Sequence, residues 1–329
     1  MAVLGSGLTT IRVGGVIDRF DQPASEEALI ALLQERGTRR KAIGGGSNLV
    51  LADSGFRGTL VRSEFNEISQ CEHSLYTDEV DQWCQTRPEE GRYSGSDLYL
   101  SNPSSGQEYA LLSVGSNVQW ARLVAYCLSH QLLGLGTYAR IPCRVGGAVV
   151  NNIHAGTELL GRHVAAVHTV DQHGTLRSYH QGTLAFGYDS SRFIAQPEFI
   201  VRVIFILQKV SAEESKAEAE AYRNILQRKS QSQPAGPNCG SVFQNVPAVG
   251  GNPSAAAWYI EQSGCKGVRF GNMEVSPVHA NFIVNLGNGT QSDFLELANV
   301  VMDRVWKQFS IRLTPEVEVI DEWGVSRWG

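Results

Sequence analysis

The chain is short of the features that mark several protein classes. Its six cysteines lie at positions 71, 84, 127, 143, 239 and 265, with no C-x-x-C pair and no zinc-ribbon spacing. That excludes the common structural-zinc frameworks and points to packed thiols and no metal site. Charged residues are sparse at 19%, and the formal balance is −5. A nucleic-acid partner would call for a basic face, so none is expected. No run of about eighteen apolar residues occurs, and no membrane span is expected. The first residues, MAVLGSGLTTIRVGG, have no basic stretch followed by a long apolar one, so the expectation is no signal peptide and a cytoplasmic protein. No internal repeat is visible. What remains is a globular composition, 42% apolar over 329 residues, long enough for two or three compact units.

Glycine, by contrast, is concentrated where it matters. In Arg40–Ala52 (RKAIGGGSNLVLA) a β-like run stops at Gly44, Gly45 and Gly46, and Ser47, Asn48 and the apolar Leu49-Val50-Leu51 follow. Glycines after a strand let backbone N–H groups approach a ligand without a Cβ in the way, and successive N–H groups form an anion nest. Neither common phosphate loop fits. A P-loop needs Gly-Lys-Ser/Thr, and the Rossmann fingerprint needs a glycine where Leu49 stands, followed by a helix. Two readings of these residues are open: a loop for a pyrophosphate-bearing cofactor, or a glycine-rich hairpin with no ligand.

Around this stretch the pattern reads α+β. Thr9–Asp18 reads as strand, turn and strand, and Ser25 caps a helix running to about Arg36, which Gly37 ends. With the strand Lys41–Ile43 this makes a β-α-β unit whose loop lies at a strand end, where α/β sheets bind ligands. Residues 69–107 are polar and aperiodic and read as a surface insertion, with a hairpin around Tyr93–Leu100. Tyr109–Val114 is a strand ending at Gly115, and Val118–His130 an amphipathic helix. Ile141–Asn152 (IPCRVGGAVVNN) has so little side-chain bulk that it suits either close approach of a ligand or a buried turn. Strands are expected at Val164–Val170, Leu176–Tyr179, Phe199–Leu207, Ala280–Leu286 and Glu316–Ile320. Helices are expected at Ser211–Lys229, Ala255–Gln262 and Ser292–Phe309.

In this order the blocks resemble one family, the UDP-N-acetylenolpyruvoylglucosamine reductases, in its shorter subclass. The resemblance is carried by TTIRVGG (Thr9–Gly15), AIGGGSNLVL (Ala42–Leu51), IPCRVGGAVVNN (Ile141–Asn152) and FGYDSSRF (Phe186–Phe193). NCGSVFQN (Asn238–Asn245), IEQSGCKGVRFG (Ile260–Gly271), VSPVHANFIVN (Val275–Asn285) and LTPEVEVI (Leu313–Ile320) complete it. It implies an α+β fold: a two-part FAD-binding domain of the vanillyl-alcohol-oxidase (PCMH) type plus a C-terminal α+β substrate-binding domain. The expected boundaries are 1–66 for the first FAD subdomain, with 313–329 returning to it, 67–208 for the second, and 209–312 for the substrate domain.

The resemblance further implies FAD as cofactor, NADPH as hydride donor and a nucleotide-sugar substrate, in a monomer or weak dimer. FAD would contact Gly44, Gly45, Gly46, Ser47, Asn48, Leu49, Gly115, Ile141, Pro142, Gly146, Gly147 and Asn152. Ser241 matches the family's proton donor and Glu316 its assisting carboxyl group, while Tyr188, Asn245 and His279 match substrate contacts. The chain departs from the family at Asp189, where an arginine stabilises the developing enolate; a carboxylate there inverts the charge. It departs also at Cys143, Arg144, His154 and Gly156. Three readings follow: a working reductase in which Arg192 or Arg144 supplies the missing guanidinium, a flavin oxidoreductase retooled for another substrate, or a non-catalytic FAD-binding protein.

Overall fold

A computed structural model of the chain describes residues 3–85, 94–96, 99–101, 106–156, 158–247, 254–326 and 328. They fall into two compact units, one of Met1–Phe20, Thr38–Leu60 and Arg228–Gly329, the other of Asp21–Gly37 and Val61–Gln227.

In the first unit a four-stranded sheet runs in the order Val3–Leu4, Val16–Asp21, Phe56–Val61, Arg40–Ala42. The strand Leu49–Val50, which leaves the glycine turn, pairs in parallel with Glu318–Val319 near the C-terminus. The long helix Gln291–Phe309 starts from a capping box in which the Thr290 side chain and the Asp293 carboxylate satisfy each other's backbone N–H groups. Its apolar residues Phe294, Leu297, Ala298, Val301 and Val305 fall on one stripe and are buried with Tyr259 and Ile260 of the helix Ala256–Gln262.

The second unit is built on an antiparallel sheet. Its main path runs Leu176–His180, Val164–Val170, Phe199–Lys209, Glu108–Gly115, Tyr99–Ser101, Ser94–Ser96. Alternation along the strands explains why they read as continuous apolar runs. Leu112 and Phe205 face one cluster with Trp120, Leu123 and Val145, whereas their neighbours Leu111, Ile204 and Ile206 face another with Val80 and Trp83. Both faces are covered.

Two expectations change here. The β-α-β unit does not form, because Phe56–Val61 lies between Val16–Asp21 and Arg40–Ala42 in the sheet. The helix Glu26–Gln34 does start at the Ser25 cap, but buries Leu29, Leu32 and Leu33 with Val61, Phe65, Val170, Phe199 and Val201 of the second unit. The stretch 69–107 also does more than cover the surface. It contains the helix Thr77–Gln85, which buries Val80 and Trp83, and the Trp83 indole N–H donates to the Arg162 carbonyl at 2.9 Å. Of the expected hairpin, Ser94–Ser96 and Tyr99–Ser101 pair antiparallel, and Tyr93, Asp97 and Leu98 lie outside the described residues. Among the described residues no helix is long and apolar enough to cross a membrane.

Candidate active site

The glycine turn has the form of an anion nest. Among the described residues the backbone N–H groups of Gly44 to Asn48 donate to no protein acceptor, and Gly44, Gly45, Ser47 and Asn48 are half-buried. Gly46 is buried at φ +64°, and a Cβ on it would stand 2.0 Å from the Leu8 carbonyl oxygen. It is therefore glycine for conformational and steric reasons together. Leu49 turns its side chain into the core with Leu8, Ile17 and Leu51, so only its backbone borders the turn.

The segments of the expected chemistry meet this turn within the same unit. The Asn48 side-chain amide donates to the Glu316 carbonyl at 3.2 Å, and the Glu316 N–H donates to the Val242 carbonyl at 2.9 Å. Ser241 and Glu316 thus sit on neighbouring backbone segments, both half-buried, with Gly240 at φ +82° turning the chain before the serine. Burial pushes the Cys239 thiol up to about 12, and the Glu316 charge adds to the rise, which places that carboxylate within electrostatic reach. His279 is held below the usual imidazole range by burial and then by Lys266. Its Nδ1 accepts the Asn281 N–H at 3.3 Å, so the ring proton belongs on Nε2, where it can be donated. Asn245 is exposed and its Oδ1 accepts the Ala256 N–H at 3.2 Å, capping the next helix.

The second unit supplies the other expected residues. Gly115 closes its strand where a Cβ would lie 2.3 Å from the Phe65 carbonyl oxygen, so its glycine is explained by packing. Ile141 packs against the core and Pro142 is exposed. The following residues, read from sequence as a turn or a ligand segment, form the short helix Val145–Val150. A Cβ on Gly146 would stand 3.1 Å from the Ser116 Cβ, whereas a Cβ on Gly147 would meet nothing within 4 Å. Arg144 donates to the Asn117 carbonyl at 2.7 Å. Burial lowers the Arg144 guanidinium, and lowers that of Arg62, which also feels the Arg144 charge. Two guanidinium groups that disfavour each other are relieved by an anion. Arg62 has no motif signal of its own and escaped the sequence reading.

Asn152, fully buried at φ +43°, donates to the Gly187 carbonyl and accepts the Gly161 N–H, both at 2.7 Å. That side chain is consumed in holding 187–188 against 161. Tyr188 is exposed, and its ring lies 4.4 Å from that of His154. His154 Nε2 is 3.4 Å from Asp189 Oδ1, in a carboxylate only 9% exposed. Arg192 is engaged elsewhere: its guanidinium lies 3.7 Å over the Tyr179 ring, donates to Gln196 at 2.9 Å and stands 4.0 Å from Glu198. The structure thus pairs Asp189 with His154 and ties Arg192 to a structural cluster.

Each unit thus holds its own candidate phosphate contacts: backbone N–H groups at 44–48 in the first, and Gly147 with Arg62 and Arg144 in the second. Residues 231–320 match the family model for the C-terminal domain of UDP-N-acetylenolpyruvoylglucosamine reductase. The enzyme of that name from Carboxydothermus hydrogenoformans is 30% identical over 319 residues, covering 95% of this chain and 91% of that protein. That of Heliobacterium modesticaldum is 33% identical over 319 residues, covering 96% and 88%. Among solved structures, the UDP-N-acetylenolpyruvylglucosamine reductase of Thermus caldophilus superposes with a TM-score of 0.70 at 25% identity, over 98% of both chains. The chain belongs to the UDP-N-acetylenolpyruvoylglucosamine reductase family. With membership the α+β FAD-binding fold, the FAD cofactor and the NADPH-linked oxidoreductase class are borne out. The retooled and non-catalytic readings find no support in these matches.

Proposed function

We propose that this protein reduces the enolpyruvyl ether of UDP-N-acetylglucosamine to UDP-N-acetylmuramate for peptidoglycan precursor synthesis, as a cytoplasmic monomer or weak dimer. The observation that carries the reading is the glycine turn: its N–H groups, without a protein acceptor among the described residues, lead into the strand Leu49–Val50 that pairs with Glu318–Val319, and Asn48 bonds the Glu316 backbone directly. Cofactor loop and candidate acid share one local framework.

When bound, FAD would supply the hydride, drawn from NADPH, that the alkene of the substrate accepts. Gly44–Asn48 would hold its pyrophosphate through N–H groups. Within the second unit, Gly147 is the glycine whose face is clear for a ligand. Addition of hydride leaves negative charge on the carbon beside the carboxylate, and this charge needs a proton and fixed donors. Ser241 is the proton donor to that carbon, with Glu316 assisting. Tyr188, Asn245 and His279 hold the nucleotide-sugar, and His279, kept neutral by burial, donates from Nε2. Residues 209–312 carry the substrate-binding part of this work.

The test is spectroscopic. The purified flavoprotein is reduced with NADPH without oxygen, the enolpyruvyl substrate is added, and flavin absorbance is followed. Rapid return of the oxidised spectrum is expected in the wild type, and Ser241→Ala should slow it by at least about 10²-fold. Reduced flavin that persists with the wild type would overturn the reading.

A further inference from the structure

A second concave feature lies wholly inside the first unit, and residues 44–48 take no part in its lining. It is a cavity of about 700 Å³ between the loop before the strand Val16–Asp21 and the loop that leads into the helix Gln291–Phe309. One buried asparagine fixes the spacing of these walls. The Asn285 side chain, 4% exposed, donates to the Ile11 carbonyl at 3.0 Å and accepts the Gly287 and Gly289 N–H groups at 2.9 and 3.0 Å. Asp53 is the acidic group of the lining, and its oxygens accept the Gln291 N–H at 2.7 Å and the Ser292 N–H at 3.2 Å. Thr290 caps the Asp293 N–H, so the first donors of the helix are satisfied within the protein.

What the chain leaves unsatisfied at this cavity is a set of donors. Arg12 is exposed there, and its guanidinium makes no hydrogen bond, ion pair or ring contact among the described residues. The Gly14 and Asn288 N–H groups, which also border the cavity, donate to no acceptor among the described residues. Arg12 holds φ +60°, a left-handed conformation that disfavours an arginine and not a glycine. Thr9 enforces it, because its Oγ1 donates to the Val13 carbonyl at 2.9 Å and accepts the Val13 N–H at 3.2 Å. Gly7 presents the converse case. A Cβ on it would meet nothing within 4 Å and its φ lies outside the left-handed region, so neither packing nor conformation calls for glycine. Its bare backbone keeps that side of the cavity open.

We propose that this cavity binds a small polyanion, a metabolite-sized compound bearing phosphate or carboxylate groups. The Arg12 guanidinium is its charged anchor, and the Gly14 and Asn288 N–H groups are further donors. The volume suits a small organic molecule and exceeds what a single inorganic ion fills. A guanidinium fork matches phosphate or carboxylate oxygens two at a time, which gives the strained arginine its use. A cation would meet Arg12 instead, with the Asp53 oxygens already committed to the helix. The site is separate from the cofactor turn but shares a loop with it: Thr10, two residues before Arg12, donates its N–H to the Gly46 carbonyl at 3.0 Å.

The experiment is calorimetric titration of the FAD-loaded flavoprotein with inorganic pyrophosphate and, separately, with citrate, at about 0.15 M ionic strength. The flavin stays in place so that its own phosphate contacts are occupied. At least one anion should bind at a single site with a Kd below about 1 mM, and the tighter of the two tells phosphate from carboxylate. Arg12→Gly should weaken that binding by about 10- to 150-fold, the effect of losing a charged hydrogen bond. Its melting temperature without anion should equal or exceed the wild type's, because the left-handed strain is relieved; an arginine kept only for the fold would give the opposite. Arg12→Lys, which keeps the charge and loses the fork, should fall between. Gly7→Leu, which fills the open face, should also weaken binding while the melting temperature holds. If neither anion saturates, or if Arg12→Gly and Gly7→Leu bind within about twofold of the wild type, the proposal is overturned.

Discussion

Gly46 and Gly147 are both glycines of the expected cofactor contacts, yet the structure gives them different reasons, and alanine separates the two. At Gly46 a Cβ would stand 2.0 Å from the Leu8 carbonyl oxygen and 2.9 Å from the Thr9 Cα. Ordinary contact begins near 3.4 Å, so the turn would have to retreat by more than an ångström from backbone that cannot yield as a side chain can. The φ of +64° adds the left-handed penalty of about 1–2 kcal/mol for an L-residue. With about 1–3 kcal/mol for the overpacking, Gly46→Ala should cost roughly 2–5 kcal/mol of stability and lose flavin as well. At Gly147 a Cβ meets nothing within 4 Å, and the residue lies in the helix Val145–Val150. Alanine there should leave the apoprotein as stable or stabilise it by up to about 1 kcal/mol.

If the clear space over Gly147 is where the cofactor lies, the added methyl should nonetheless weaken FAD binding by about 1–3 kcal/mol, roughly five- to 150-fold in Kd. The assay is paired: denaturant unfolding of apoprotein for stability, and fluorescence titration of apoprotein with FAD for affinity. The diagnostic pattern is a stable Gly147→Ala that binds flavin poorly, beside an unstable Gly46→Ala. Unchanged FAD affinity in Gly147→Ala would refute the assignment of that face to the cofactor. Full stability in Gly46→Ala would refute the steric reasoning.

Other perturbations test other parts of the structure. Trp83→Ala should cost about 3–5 kcal/mol in denaturant unfolding, since the ring is 1% exposed and its N–H is bonded; a loss under about 1 kcal/mol would return 77–85 to the surface. Burial and then the Arg202 charge hold His168 below its ordinary range, so the native state binds that proton less readily than the unfolded chain. Its contribution is present above about pH 6.5 and is lost as pH falls through the depressed native value, so His168→Gln should flatten melting temperature against pH on the acid side. Burial pushes the Cys143 thiol up to about 12, so iodoacetamide at pH 8 should label it, by peptide mass spectrometry, only once the chain is unfolded.

Local signals in this chain were legible where a few neighbouring residues decide the outcome. The Ser25 cap accepts the Ala28 N–H at 3.2 Å, Ser211 and Glu214 close a reciprocal cap, and the strand Val164–Val170 follows from its run of apolar residues. The glycine turn at 44–46 read correctly as a break between the strands Arg40–Ala42 and Leu49–Val50. The errors came from partners distant in sequence. The helix Glu26–Gln34 has a clear apolar stripe, but no local pattern says that Leu29 and Leu33 will meet Val170 and Phe199 instead of the adjoining strands. Among the described residues of the helix Thr77–Gln85, Val80 and Trp83 are buried and Cys84 packs beside them, too thin a stripe among polar neighbours to stand out by periodicity.

The candidate site fails to be legible for the same reason, at a single contact. Taken along the chain, Asp189 and His154 are two separate departures from the family pattern, and each alone suggests decay: a carboxylate where charge must be stabilised, an imidazole in a glycine-rich turn. In space they are one feature, because the turn at 187–190 is tied to Asn152 and sets the two side chains against each other. The carboxylate that reads as a charge inversion along the chain faces the His154 ring in the fold, at 3.4 Å. Arg192, the nearest cation along the chain, is held over Tyr179 beside Glu198. Contact here follows packing distance and not sequence distance, which is why no reading along the chain joins position 154 to position 189.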